Sequence, residues 1–397
     1  MARSELSFLF ICGALAIHII VTTSAAWIPD RARIDCTPDH DPNDSNLEAK
    51  CKSRGCWWTP AYPSNIGIPW CYFPPNTGYV KSSTNGTEIT LKLFSHSPKS
   101  PFGKTIDQII LKQRHIGSTL NVRIGQDESY VPPIHIPRHP SHSSETLSLI
   151  RGGRWSKITK NVYSFTIKRG SGKWIWDTSI GGMLFADQYI QIATLLPSDK
   201  IYGFGENVHK TLKHSFDAYK TWGMFARHQS SDLVNVSTGH NLYGVHPFYL
   251  GLESDNKAHG VLIWNSNAQE VTTAVGPHLV YRTIGGMLDI YFFPGPKPEQ
   301  VIQQYQMLIG TPFLPAYWAL GFQLGGNNFK TLSDLQAAVN RTTANKMPLD
   351  VIHAGIDYMD RYKDFTIGQI FKVVVPLFRR AIEKGQAEDC GRRGRVG

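Results

Sequence analysis

"LDIYFFPG" (Leu288–Gly295) and "KPEQVIQQYQMLIG" (Lys297–Gly310) sit almost side by side and carry different periods. The first closes a series of short runs: "TEITLKLF", "TLNVRIG", "VYSFTIKRG", "HGVLIWNSN" and "HLVYRTIGG". In these runs apolar and polar residues alternate, and Gly, Pro, Asn or Asp separate one run from the next. That pattern predicts many antiparallel strands in a β-sandwich. The second stretch places Val301, Tyr305 and Leu308 on one face and ends at Gly310, which predicts a helix. The junction therefore divides a sandwich, residues 78–296, from a segment of different texture on its C-terminal side.

Beyond the helix, "AYWALGFQL" reads as a buried strand, and "TLSDLQAAVNRTTANKM" as a helix capped by Thr331. "LDVIHAGIDY" is a further strand and "FKVVVPLFRRAIEKG" a further helix. Strand, helix, strand, helix opens an α/β unit with a parallel sheet. A (β/α)8 barrel takes about 250 residues. Phe313 to Gly397 supplies 85 residues. Residues 311–386 thus read as the first units of an incomplete barrel, and 387–397, "AEDCGRRGRVG", as an alternative end or a gene-model error.

At the other end, Arg3 precedes the apolar run "LSFLFICGALAIHIIV", followed by Ser24, Ala25 and Ala26. This order predicts a secretory signal over residues 1–26. The run is short of the ~20 residues that span a bilayer, so a membrane contact is expected only if the signal is retained as an anchor. Cys36, Cys51, Cys56 and Cys71 crowd together in an exported chain and read as two disulfides rather than a zinc site. Sequons at Asn43, Asn85, Asn235 and Asn340 fit a glycosylated surface. The net charge of +10 comes from scattered Lys and Arg, so no nucleic-acid partner is expected. His209, His214, His228, His240 and His246 follow no ligand spacing; neither metal nor other cofactor is expected.

Residues 33–76 form a loop-rich unit that resembles the trefoil, or P-type, module. The matching residues are Arg33-Ile34-Asp35-Cys36, Cys51, Arg54-Gly55-Cys56 and Pro69-Trp70-Cys71-Tyr72-Phe73. The module has six cysteines; here the first is absent and Trp57 replaces the fifth. Those two are partners, so the resemblance implies Cys36–Cys56 and Cys51–Cys71, with Trp57 and Trp58 filling the vacated space.

Six stretches in order resemble the retaining α-glucosidases of glycoside hydrolase family 31, in particular the maltase-glucoamylase and sucrase-isomaltase group, with lysosomal acid α-glucosidase a near relative. They are "YGFGE" (202–206), "NLYGVHPFYL" (241–250), "GVLIWNSNAQEV" (260–271), "YRTIGGMLDIYFF" (281–293), "PEQVIQQYQMLIGTPFLPAYWALGFQL" (298–324) and "MPLDVIHAGIDYMDRYKDFT" (347–366). The resemblance implies a mostly β, multidomain chain: a trefoil, a galactose-mutarotase-like sandwich, then the opening of the catalytic barrel. It implies hydrolysis of α-linked glucosides such as maltose, or binding of related glycans, by a protein that is secreted, lysosomal or at an apical surface. A retaining glycosidase needs two carboxyl groups ~5–5.5 Å apart. In this family the nucleophile lies in a Trp-Ile-Asp-Met-Asn-Glu motif, which does not occur here. Gly355 and His228 stand where the family has sugar-binding aspartates. The expectation is therefore that this chain alone carries no catalytic residue and is inactive. Asp357, Asp360 and Asp364 are expected to orient loops against bases such as Arg361 and Lys363. Asp357, Trp222 and His228 are the candidate substrate contacts. A secreted, non-catalytic carbohydrate- or mucin-binding protein is the alternative.

Overall fold

The computed structural model describes residues 28–40, 44–63, 66–159, 161–208, 211–229, 240–326 and 328–371. The expected signal segment, His209, the sequons at Asn43 and Asn235, the tail 387–397 and all but the first residue of the helix expected over 371–385 lie outside the described residues. The chain divides into two units, Met1–Thr311 and Pro312–Gly397.

Two eight-stranded antiparallel sheets dominate the described residues of the first unit. One sheet runs Lys220–Met224, Gln269–Ala274, His278–Thr283, Tyr189–Leu195, Trp174–Asp177, Phe165–Arg169 and Leu147–Arg151, with Leu184–Ala186 added beside Tyr189–Leu195. The other runs Ile201–Gly205, His246–Leu252, Ala258–Ile263, Leu288–Phe293, Thr119–Gly125, Gln108–Ile116, Glu88–Leu93 and Tyr79–Asn85. Their facing residues meet in one apolar core. Leu91, Ile109, Leu111, Val122, Ile290 and Phe292 come from one sheet, and Ile167, Trp176, Ile192, Val271 and Tyr281 from the other. Each such side chain stabilises the fold by roughly 1.5–3 kcal/mol through burial.

Several strands, including Ala258–Ile263, His278–Thr283 and Leu288–Phe293, are buried on both faces rather than alternating. The outer faces are covered. Helix α2, Pro298–Ile309, lays Val301 and Leu308 on Phe248, Leu262, Tyr291 and Phe293. It ends at Gly310, whose φ of +97° suits glycine. The trefoil covers the other sheet, with Ile28, Ile34, Tyr72 and Phe73 packed on Ile180, Leu184, Tyr189 and Val280.

The trefoil is held by two disulfides, Cys36–Cys56 and Cys51–Cys71. Cys51 rides on helix α1, Leu47–Ser53, and Cys71 on a short hairpin of Trp57–Trp58 with Cys71–Tyr72. Trp57 packs edge-on to Tyr72 and Trp58 edge-on to Trp70. Buried Arg33 donates to the carbonyls of Thr59 and Pro69 and to Asp30. Asp39 accepts two hydrogen bonds from Arg54, which hold its carboxyl well below the usual aspartate range.

In the second unit, Gln323–Leu324 pairs in parallel with Val351–Ile352. Between them runs α3, Leu332–Ala344, opened by a reciprocal cap: Asp334 N–H donates to Thr331 Oγ1, and Thr331 N–H to Asp334 Oδ2. The buried strand expected over "AYWALGFQL" is corrected. Tyr317–Leu320 is a 3-10 turn, the strand is two residues long, and Phe313, Tyr317 and Trp318 are exposed. Gln323 and Leu324 are exposed and half-buried, not the buried pair that a parallel strand covered on both faces would show.

Candidate functional site

In the sandwich, three segments from the family-like stretches converge. "YGFGE" ends the strand Ile201–Gly205, where Gly203 has a φ of +124° and a Cβ would lie 2.4 Å from the Phe248 carbonyl oxygen. Glu206 comes next. Its Oε2 accepts the backbone N–H groups of Tyr243 and Gly244, both at 2.8 Å, while its own N–H donates to the Gly244 carbonyl. Glu206 thus fastens the loop that leads into His246–Leu252. Gly203, Phe204, Glu206, Asn207, Tyr243 and His246 line an open cavity of about 650 Å³. His246 Nε2 lies 2.9 Å from the Tyr305 hydroxyl, and burial pushes its pKa down.

His228 sits on the same side. Its N–H and that of Arg227 both donate to the Leu242 carbonyl, and its ring tilts against Tyr243 at 4.9 Å. Its φ of +56° is left-handed, a conformation costly for a residue with a Cβ and held here by those paired bonds. His228 is exposed. Trp222 is not: it is 6% exposed, its ring packs edge-on to His214, and its indole N–H donates to Thr273 Oγ1 at 3.4 Å.

In the second unit, Asp357 stands on the 3-10 turn Ile356–Tyr358, just after Gly355. Its side chain is 8% exposed and both oxygens accept from Lys330 Nζ, at 3.1 and 3.2 Å. The Tyr362 hydroxyl adds a longer contact at 3.5 Å. The base that faces Asp357 is Lys330, not the sequence neighbours Arg361 or Lys363. Arg361 instead lies 3.7 Å from Asp360, and Asp364 is exposed. Lys330 comes from the segment before α3, distant in sequence, so no local pattern pointed to it.

A second concavity, about 620 Å³, lies between trefoil and sandwich and is lined by Asp35, His40, Trp58, Trp70, Tyr219 and Arg282, among others. Burial pushes Asp35 above the ordinary aspartate range, against the pull of the Arg282 guanidinium. Arg282 is the residue the sequence concealed. It lies in a strand buried throughout, and donates to Tyr189, Gln191, Glu270 and Thr272. Among the described residues no cluster of three or more His, Cys, Asp or Glu is placed to hold a metal ion, and no helix is long and apolar enough to cross a membrane.

The family profile of the glycosyl hydrolases family 31 TIM-barrel domain matches residues 312–385, and that of the trefoil (P-type) domain matches residues 26–74. The chain is 39% identical over 367 residues to intestinal sucrase-isomaltase of Rattus norvegicus, covering 89% of this chain and 19% of that protein. It is 34% identical over 353 residues to lysosomal alpha-glucosidase of Mus musculus, covering 86% of this chain and 35% of that protein. Against a solved structure, the ER glucosidase II heterodimeric complex, the TM-score is 0.54 at 15% identity, covering 83% of this chain and 44% of that one. The chain spans about a fifth to a third of the length of these curated relatives.

Proposed function

The chain belongs to glycoside hydrolase family 31, and on that premise we propose that it is the trefoil, sandwich and barrel-opening part of an α-glucosidase-type fold. The corresponding reaction is O-glycosyl hydrolysis of α-linked glucosides such as maltose. We further propose that the 397 residues as they stand do not perform it. The observation that carries the second half is the state of the acids in the barrel segment. Asp357 has both oxygens committed to Lys330, Asp360 lies beside Arg361, and Gly355 offers no carboxylate at all. A retaining mechanism needs one carboxylate free to attack the anomeric carbon and a second, protonated, to donate to the leaving oxygen. No Trp-Ile-Asp-Met-Asn-Glu sequence occurs among the residues. His228, exposed beside Tyr243, remains the proposed sugar-facing residue of the sandwich. Trp222, enclosed, packs on His214 and donates to Thr273 Oγ1.

An aryl α-glucoside with a nitrophenol leaving group tests this cleanly, because such a bond breaks with little help from a general acid. The expected result is neither nitrophenol release nor a glycosyl adduct on the intact chain by mass spectrometry. An adduct would identify a working nucleophile and overturn the proposal.

A second reading has its own support. The trefoil–sandwich cavity pairs a carboxylate, a guanidinium and the Trp70 ring, groups that suit hydroxyls and a sugar face. On this reading the protein is a secretory-pathway, carbohydrate- or mucin-binding module. Glycan-array binding abolished by Trp70→Ala would favour it; binding indifferent to that change would exclude this cavity.

A further inference from the structure

In the sheet that holds Leu288–Phe293, Val122 and Ile290 point into the core. Their strand neighbours Asn121, Arg123, Asp289 and Tyr291 therefore point the other way, toward the face beside α2. Register sets Arg123 opposite Asp289, and Asn121 between Tyr291 and Arg114. Asp289 is 4% exposed. Its Oδ1 accepts from Asn121 Nδ2 at 2.7 Å and its Oδ2 from the Tyr291 hydroxyl at 3.4 Å. Each of these neutral groups in turn holds a guanidinium by its Nε: Arg114 donates to Asn121 Oδ1 at 3.0 Å, and Arg138 to the Tyr291 hydroxyl at 3.4 Å. Arg123 Nε lies 3.8 Å from Asp289 Oδ2. Burial pushes the Asp289 carboxyl up, against the hydrogen bond from Asn121 and the pull of Arg123, Arg138 and Arg114.

We propose that Arg114, Arg123 and Arg138, gathered around Asp289, bind the phosphate group of a small phosphate monoester. Charge selects the ligand class. One guanidinium would neutralise Asp289, so two of the three positive charges have no counter-charge among the described residues. Lys112 marks the contrast: it shares this face but is paired with Glu88 and Asp127. A phosphate monoester carries close to two negative charges at neutral pH and three acceptor oxygens, whereas a carboxylate brings one charge and two oxygens. Geometry agrees. Bonds through Nε fix the planes of Arg114 and Arg138 and leave the terminal Nη pairs, the fork that meets phosphate oxygens, without a protein acceptor. Side chains tethered in this way lose little freedom when a ligand arrives. Arg138 reaches the cluster from a left-handed backbone, φ +53°, held by its N–H on the Leu308 carbonyl at 2.9 Å; strain of this kind gathers where a side chain must be aimed. Arg114 is exposed and Arg123 and Arg138 are half-buried, so the face is open enough for the remainder of an ester to stand in water.

The test needs no turnover. Methyl phosphate, inorganic phosphate, methyl sulfate and acetate are each titrated into the purified 397-residue chain by calorimetry, at constant ionic strength and about pH 7.5, where the phosphate ester has lost its second proton. Methyl phosphate should bind in the millimolar range, no more weakly than inorganic phosphate. Methyl sulfate, with a single charge, should bind about tenfold less tightly, and acetate less again. Arg114→Gln/Arg138→Gln should weaken methyl phosphate about tenfold or more, while Lys112→Gln leaves it unchanged. The thermal transition of the double variant checks its folding. If that transition is lost, Arg114→Gln alone, at an exposed side chain, should show a loss in the same direction. No methyl phosphate binding up to about 10 mM would overturn the proposal. So would binding of inorganic phosphate without the ester, an adventitious ion only, or a loss equal in Lys112→Gln and in the arginine variants.

Discussion

Glu253→Ala is the sharpest perturbation of the sandwich. Glu253 comes directly after the strand His246–Leu252, and its carboxylate reaches Arg169 on the opposite sheet, with Nη2–Oε1 at 2.5 Å and Nε within 3.0–3.1 Å of both oxygens. The two side chains are 0% and 3% exposed. His259 Nδ1 lies 3.0 Å from the same carboxylate. Breaking a buried pair from one side costs about 3–5 kcal/mol, because the remaining charge stays buried. Here the loss is tempered. Arg169 keeps the carbonyls of Pro294 and Ala258 and a 3.4 Å contact to Glu145, so the low end, about 3 kcal/mol, is expected. Denaturant unfolding measures it. The Arg169→Met/Glu253→Ala double variant should lose less than the sum of the singles, since no lone charge is left. A loss below about 1 kcal/mol for Glu253→Ala would refute the assignment of this pair as the cross-sheet anchor. A pH arm adds the sign. Burial pushes Glu253 up, but the bonds from His259 and Arg169 outweigh it and hold its pKa below the ordinary glutamate value. The stability this confers is present above the unfolded pKa of about 4.3 and is lost as pH falls through the folded value. The variant should lack that acid dependence.

Replacing Cys36 and Cys56 together by Ser should cost about 3 kcal/mol in trefoil stability, from the loop closed across a sequence separation of 20, as read by proteolysis rates of the module. Asp357→Asn should change stability by no more than about 1 kcal/mol, because Lys330 is 65% exposed and screened; a larger loss by thermal melting would mean Asp357 holds more than its lysine. Glycopeptide mapping of secreted protein should find Asn85, at an exposed hairpin tip, occupied. Asn340, within α3 and accepting from Gln336, should be occupied less fully.

The strands were legible because their alternation is the pleat itself, and α2 and α3 because Gly310 and Thr331 mark their ends. Arg169, Glu253 and Arg282 were not legible. A charged residue in an alternating strand reads as solvent-facing; the trefoil encloses Arg282, and Arg169 turns inward to meet Glu253 from the opposite sheet. Trp222, a candidate substrate contact, lies in the strand Lys220–Met224 and packs against His214 and Thr273, 6% exposed. The partner of Asp357 escaped because sequence neighbours look like partners, while the fold brings in Lys330 from 27 residues away.

Whether this chain hydrolyses an α-glucoside is decided by glucose release from maltose with the purified 397-residue protein. With both Asp357 oxygens bound to Lys330 and no carboxylate at Gly355, no glucose above the no-enzyme control is expected. Glucose accumulating in proportion to protein concentration, and abolished by a single Asp→Asn change, would contradict that reading.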